Sequence, residues 1–129
     1  MKIDSEQAFA LAQQFHDLAN AVGDFRFAHW DDLTPTQRNK LKDFQLTLLN
    51  NSSHFVTEAI GIILDDTQGD LKALQGVTAK AQKALETIAD VKKAIEVTAS
   101  LVKLGAAIAS ENPAAITSAA QEAVTVIAS

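Results

Sequence analysis

One stretch of the chain, residues 70–110, repeats apolar residues at the spacing of a helix that packs along partners. One row of apolar residues recurs every seven positions and a second row runs beside it: Leu74, Ala81, Ile88, Ile95 and Val102, then Leu71, Leu85 and Ala99. A period close to 3.5 residues, kept over several heptads, is typical of a long coiled-coil-like helix. The pattern predicts one continuous helix, the third of the chain, ending near Ser110.

Composition limits the kinds of protein that this chain can be. With 129 residues it can bury one core, so we expect a single helical domain over residues 1–129. The absence of cysteine excludes a disulfide framework and a thiolate metal site. A net charge of −5 argues against nucleic acid as a partner, because phosphate contacts need a cationic surface. No secretory leader or long uninterrupted apolar run is visible, which favours a soluble, cytoplasmic protein.

The first predicted helix begins near Asp4, with Gln7 at the spacing of a capping box, and ends at Gly23-Asp24. Its expected buried stripe is Phe9, Ala12, Phe15 (or His16), Ala19 and Val22, with Ala8, Leu11 and Leu18 beside it. Residues 24–33 carry three aromatics and no helix cap. We interpret them as a structured connection with a short helical or 3₁₀ turn.

The second predicted helix has the clearest start in the chain, because Thr34 can cap it, Pro35 suits its first position and Gln37 completes the box. It is expected to run to about Leu64. Residues 50–53 are poor helix formers at its centre, yet the apolar pattern continues across them, which favours one helix over a break.

An acidic turn is predicted over residues 65–70, before the third helix. A break of that helix at Gly76 is an alternative that the sequence leaves open. Asn112-Pro113 repeats the cap-plus-proline start and predicts a fourth helix over residues 113–128. Its expected inward residues are Ile116, Ala120, Val124 (or Ala123) and Ile127.

The predicted fold is all-α: an antiparallel four-helix bundle with a long central hairpin of helices 2 and 3 and shorter first and last helices. All six phenylalanines and the one tryptophan precede residue 56, whereas the second half is rich in alanine. The two halves therefore look complementary within one core.

Nothing in the sequence predicts a reaction. His54 lies one helical turn from Glu58, and His29 lies near Asp31 and Asp32, but neither arrangement completes a known metal motif. No nucleophile motif or glycine-rich phosphate loop is present. We expect no catalytic residues, no metal and no cofactor.

Two surface features suggest contacts with other molecules. The end of the second helix carries a second apolar stripe next to the one facing helix 3, and the predicted interface is Phe55, Val56, Ala59, Ile60, Ile63 and Leu64. If further copies of the chain cover this stripe, the protein is a homodimer or a higher even oligomer, and this is the predicted assembly. Trp30 has two interpretations, a plug over the end of the bundle or a contact for a protein partner.

The leading functional hypothesis is a non-enzymatic interaction or assembly protein that uses helical surfaces for self-association or partner binding. The first alternative is a membrane-active protein of the kind represented by α-helical pore-forming toxins. Stable insertion is not expected, because Glu58, Glu96 and Lys103 interrupt the apolar segments. The second alternative is a small bundle that binds a ligand in its core.

Overall fold

The computed structural model of the protein describes residues 4–57, 67–110 and 112–129. These residues form five α-helices and no strand, which confirms the all-α class. The helices are α1 (Ser5–Ala28), α2 (Pro35–Thr57), α3 (Thr67–Thr87), α4 (Val91–Ala109) and α5 (Pro113–Ala128), and a 3₁₀ turn over Trp30–Asp32 joins α1 to α2.

Three helix starts are confirmed with their capping hydrogen bonds. Asp4 and Gln7 form the capping box of α1. In α2 the backbone N–H of Gln37 donates to Thr34 Oγ1 at 3.1 Å, and that of Thr34 donates to Gln37 Oε1 at 2.9 Å. Asn112 accepts from two backbone N–H groups in the first turn of α5. Each cap satisfies donors that the helix itself leaves unpaired.

The predicted end of the first helix at Gly23-Asp24 is wrong, because α1 continues to Ala28. Gly23 is buried where α1 crosses α2, and a Cβ at this position would lie 2.7 Å from Nε2 of Gln45. The glycine therefore leaves room for the side-chain amide of Gln45 and does not end the helix. The following turn stays helical and buries Phe25.

The buried stripe of α1 is confirmed except at its first predicted residue. Phe9 was expected in the core but is 60 % exposed, and Ala8 is buried in its place. From there the predicted stripe and its neighbours are buried together: Leu11, Ala12, Phe15, Leu18, Ala19 and Val22. Phe15 is the buried alternative, and His16 is exposed.

α2 runs without a break across residues 50–53, as the apolar pattern favoured. The hydroxyl of Ser52 donates to the backbone oxygen of Ala12 in α1 at 2.7 Å. Asn51 lies against Gly105 of α4, where a Cβ would come within 2.1 Å of Asn51 Nδ2. These polar residues therefore lie where α2 meets its neighbouring helices.

The single long third helix is wrong, since residues 88–90 separate α3 from α4. Asp90 caps α4, and its carboxylate accepts from the backbone N–H groups of Lys92 and Lys93 at 3.0 and 3.4 Å. The buried face moves by one residue across this connection. In α4 the fully buried apolar residues are Ala94, Val97, Leu101, Leu104 and Ile108, whereas Ile95 and Val102 of the predicted row are only half-buried.

The most extensive helix pairs are α1 with α2 and α4 with α5. Both are antiparallel: in the first, Phe15 meets Phe55 and Arg26 meets Arg38. α3 packs against α1 and α5, and α2 also packs against α4. The predicted hairpin, formed by the second helix and one long third helix over residues 70–110, is not confirmed by this packing. α1 has 24 residues, and the described part of α2 has 23.

Two smaller alternatives are settled in the described residues. Gly76 does not split α3, which is continuous from Thr67 to Thr87. Of the two alternatives in α5, Ala123 is buried and Val124 is 42 % exposed.

Candidate functional site

Trp30 lies at the turn between α1 and α2 and is 38 % exposed. Its indole is thus partly covered and partly open to solvent. The 3₁₀ turn that carries it begins directly after the C-cap of α1 at His29. This position brings the last turn of α1 and the first turn of α2 to the same indole ring.

Two arginines pack on the indole of Trp30. The guanidinium carbons of Arg26 and Arg38 lie 4.8 and 4.3 Å from the ring centroid. Such cation–π contacts contribute about 0.5–1 kcal/mol each at exposed sites. They connect the end of α1, the turn and the start of α2.

Backbone hydrogen bonds fix the two arginines in place. Arg38 donates to the backbone oxygen of Trp30 from Nε at 2.9 Å and from Nη2 at 2.6 Å. Arg26 Nε donates to the backbone oxygen of Arg38 at 3.0 Å. Both side chains are thus held in one geometry, while the terminal nitrogens of Arg26 have no acceptor among the described residues.

Phe27 extends this cluster into solvent. Its ring lies 6.3 Å from that of Trp30, with 15° between the planes, and the side chain is 71 % exposed. We call the four residues Arg26, Phe27, Trp30 and Arg38 the Trp30 surface. It combines two exposed aromatic rings with two guanidinium groups.

The Trp30 surface carries two positive charges and has acidic residues in the same turn. Neither Arg26 nor Arg38 forms an ion pair within the part of the chain that the structure describes. Asp31 and Asp32 are exposed in the same turn, and Asp32 lies 3.6 Å from Nδ1 of His29. His29 in turn stacks on Phe25, with ring centroids 4.3 Å apart.

Sequence reasoning selected Trp30 and missed its neighbours. Phe27 and Arg26 precede Trp30 by three and four residues, a spacing that places side chains on one face when the chain is helical. The expected end of the first helix at Gly23-Asp24 concealed that relation. Arg38 was recognisable only as a residue in the first turn of α2.

The predicted interface at the end of α2 is described only in part. Phe55 is fully buried and packs edge-to-face on Phe15, with centroids 5.1 Å apart. Val56 is 52 % exposed. Ala59, Ile60, Ile63 and Leu64 lie outside the described residues.

The three histidines are distributed over separate places. His16 lies within 3.4 Å of Asn20, His29 faces Asp32, and exposed His54 lies beside Phe55. Glu58, the residue paired with His54 in the sequence, is outside the described ranges. Among residues 4–57, 67–110 and 112–129, no three potential ligand side chains are grouped for a metal ion. No helix there combines the length and apolar character needed to cross a membrane.

An apolar groove of about 410 Å³ lies between α3 and α5. Among the described residues, no charged side chain lines it, and the polar ones that do all come from α5. The lining residues are Ala73, Leu74, Val77, Ile116, Thr117, Ala120, Gln121, Val124 and Thr125.

No protein-family model, curated protein or solved structure matches this chain significantly.

Proposed function

We propose that this protein is a non-enzymatic interaction protein that binds a protein partner through the Trp30 surface. The observation that carries the proposal is the exposure of two adjacent aromatic rings beside two positioned arginines. Tryptophan and arginine are among the residues most enriched at the energetic centres of protein interfaces. Solvent-exposed aromatic clusters are also uncommon on surfaces that bind nothing.

The arginine contacts support the same proposal through preorganisation. A long side chain that becomes ordered on binding loses about 0.5–1.5 kcal/mol of conformational freedom. Arg38 already makes two hydrogen bonds to the backbone of Trp30, and Arg26 makes one to the backbone of Arg38. Part of the conformational entropy of these two side chains is therefore already lost in the unbound protein, and binding of a partner loses less.

The test is capture of partners by immobilised protein, comparing Phe27→Ser with the wild type. Phe27 is 71 % exposed, so the substitution removes an anchor without opening the core. The matched control is Phe9→Ser, since Phe9 is also exposed on α1 but lies far along the helix from Trp30. We expect a protein that the wild type and Phe9→Ser retain and that Phe27→Ser loses.

Binding of the identified protein is then measured in purified form by calorimetry, with Trp30→Ser as a second variant. A loss of affinity of about tenfold or more is expected for an anchor at the centre of an interface. Equal retention of every captured protein by the wild type and both Trp30-surface variants, each folded by circular dichroism, would contradict the proposal.

Self-association is proposed separately, on the exposure of Val56 and the predicted stripe that follows it. In this proposal Ile60→Asp halves the mass measured by light scattering while the chain stays folded. A wild type that is monomeric at high micromolar concentration would exclude it. The four-helix bundle with a central hairpin of helices 2 and 3 also stays a prediction, and neither binding proposal depends on it.

The groove between α3 and α5 favours a second candidate, binding of a small neutral apolar molecule. Its volume of about 410 Å³ falls within the range of ligand sites, and its lining among the described residues carries no charge that would anchor an ion. Ala120→Trp would fill the groove from α5. We expect the wild type to bind an uncharged hydrophobic fluorophore and Ala120→Trp to lose that binding. Equal binding by both proteins would place the fluorophore elsewhere.

A further inference from the structure

We propose that the Trp30 surface binds an acidic peptide segment of its partner, with carboxylates on Arg26 and Arg38 and an apolar side chain on Phe27. The inference rests on the proposed function and adds the chemistry of the partner. It follows from which guanidinium nitrogens form hydrogen bonds within the described chain and which do not.

The two guanidinium groups share one packing partner, the indole of Trp30. Both lie against one indole ring, at 4.8 and 4.3 Å from its centroid. No carboxylate of the described chain forms an ion pair with either of them. A carboxylate of a bound peptide is therefore attracted to each guanidinium group.

Several guanidinium nitrogens of the Trp30 surface make no hydrogen bond within the described chain. Arg26 uses only Nε in its hydrogen bond to Arg38 O, which leaves both of its terminal nitrogens open among the described residues. Arg38 uses Nε and Nη2 and keeps Nη1. Terminal guanidinium nitrogens bind carboxylates through charge-assisted hydrogen bonds that are about twice as strong as neutral ones.

The surroundings favour a peptide over an extended anionic surface. Asp31 and Asp32 are exposed in the turn that carries Trp30, and the chain has a net charge of −5. A membrane of anionic lipid or a nucleic-acid backbone would bring many negative charges against these carboxylates. A peptide can place one or two carboxylates at the arginines and an apolar residue on the exposed ring of Phe27.

The first experiment selects displayed random peptides on the immobilised wild-type protein and, in parallel, on the Arg26→Gln/Arg38→Gln variant. We expect the peptides that distinguish the two proteins to be enriched in Asp or Glu next to an apolar residue. Selected peptides without acidic enrichment, or none that distinguishes the proteins, would overturn the inference.

The second experiment changes the peptide and leaves the protein intact, so that folding of a variant does not enter. Trp30 is the only tryptophan, and its fluorescence reports binding at this surface directly. For a selected tryptophan-free peptide, changing its Glu or Asp to the amide should weaken binding about tenfold or more, and rising salt should weaken it further. Unchanged affinity for the amide peptide would refute carboxylate binding.

Vesicles of phosphatidylglycerol and phosphatidylcholine are the third probe. No change in Trp30 emission is expected, and a shift on anionic vesicles alone would replace the peptide by a lipid surface. The captured partner separates the two proposals. If Phe27→Ser loses that partner and Arg26→Gln/Arg38→Gln keeps it, the acidic-peptide inference fails while the proposed function stands. If both variants keep it, the proposed function itself fails.

Discussion

Substitution of Gly105 by alanine should destabilise the protein, although alanine favours helices. A Cβ at this position would lie 2.1 Å from Asn51 Nδ2, 2.9 Å from Asn51 Cγ and 3.1 Å from Phe15 Cε2. Overpacking of this kind costs about 1–3 kcal/mol. The higher helix propensity of alanine stabilises the variant by about 1 kcal/mol and offsets part of this loss. The expected result is a net loss of about 1 kcal/mol in the free energy of unfolding.

Gly76→Ala is the matched control, because it makes the same change in α3 without a contact. A Cβ on Gly76 meets nothing within 4 Å, and the residue is exposed. This variant should gain about 0.5–1 kcal/mol from propensity alone. Urea unfolding followed by circular dichroism measures both changes, with equal m-values required for the comparison.

The contact with Asn51 can be tested by removing it. In an Asn51→Ala background the two closest obstacles are gone, so Gly105→Ala should become neutral or stabilising. This change of sign corresponds to a coupling energy of about 1–2 kcal/mol between the two positions. The reasoning is refuted if Gly105→Ala stabilises the wild-type background as much as Gly76→Ala does.

Four further predictions concern a helix cap, the core, an exposed ring and metal binding. Asp90→Ala should lower the free energy of unfolding by about 1 kcal/mol, with Asp90→Asn keeping most of it, because the side chain caps α4. Phe15→Ala should cost about 3–5 kcal/mol in urea unfolding, since it empties the core contact with Phe55. Phe9→Ala should change stability by less than about 0.5 kcal/mol, because that ring is largely exposed. EDTA should leave Tm unchanged, and a clear decrease would reveal a metal site that the sequence analysis did not recognise.

The helix starts could be predicted from sequence because a cap is a local structure. The side chain of Thr34 bonds a backbone group three residues away, and Asn112 acts over a similar distance. Such contacts are complete within one turn, so residue type and spacing determine them. The same holds for the all-α class, which follows from the apolar period.

The helix ends depended on tertiary contacts that the sequence does not display. Gly23 has the composition of a C-terminal signal, yet its use is set by Gln45 on another helix. The seven-residue apolar row from Leu74 to Val102 continues through residues 88–90, because Ile88 occupies one of its positions. The row therefore did not indicate the end of α3. Asp90 just before an apolar run was the available signal for a new helix start.

The candidate site was predictable only as a single residue. Trp30 was noticeable because it is the one tryptophan, in a loop of aromatics. Its arginine neighbours depend on how α1 and α2 meet, since Arg38 comes from the second helix of the pair. Composition suggested that the phenylalanines fill the core, so it did not predict that Phe9 and Phe27 lie on the surface.

The connection between α3 and α4 makes one point of the chain tolerant of insertions and deletions. A residue added within α2 would rotate everything beyond it by about 100° and move Phe55 away from Phe15. A residue added beside exposed Ala89 enters a segment that is not helical, and Asp90 still begins α4. Homologous chains of different length, and circular permutants opened at this position, can therefore keep both helical faces in their own registers.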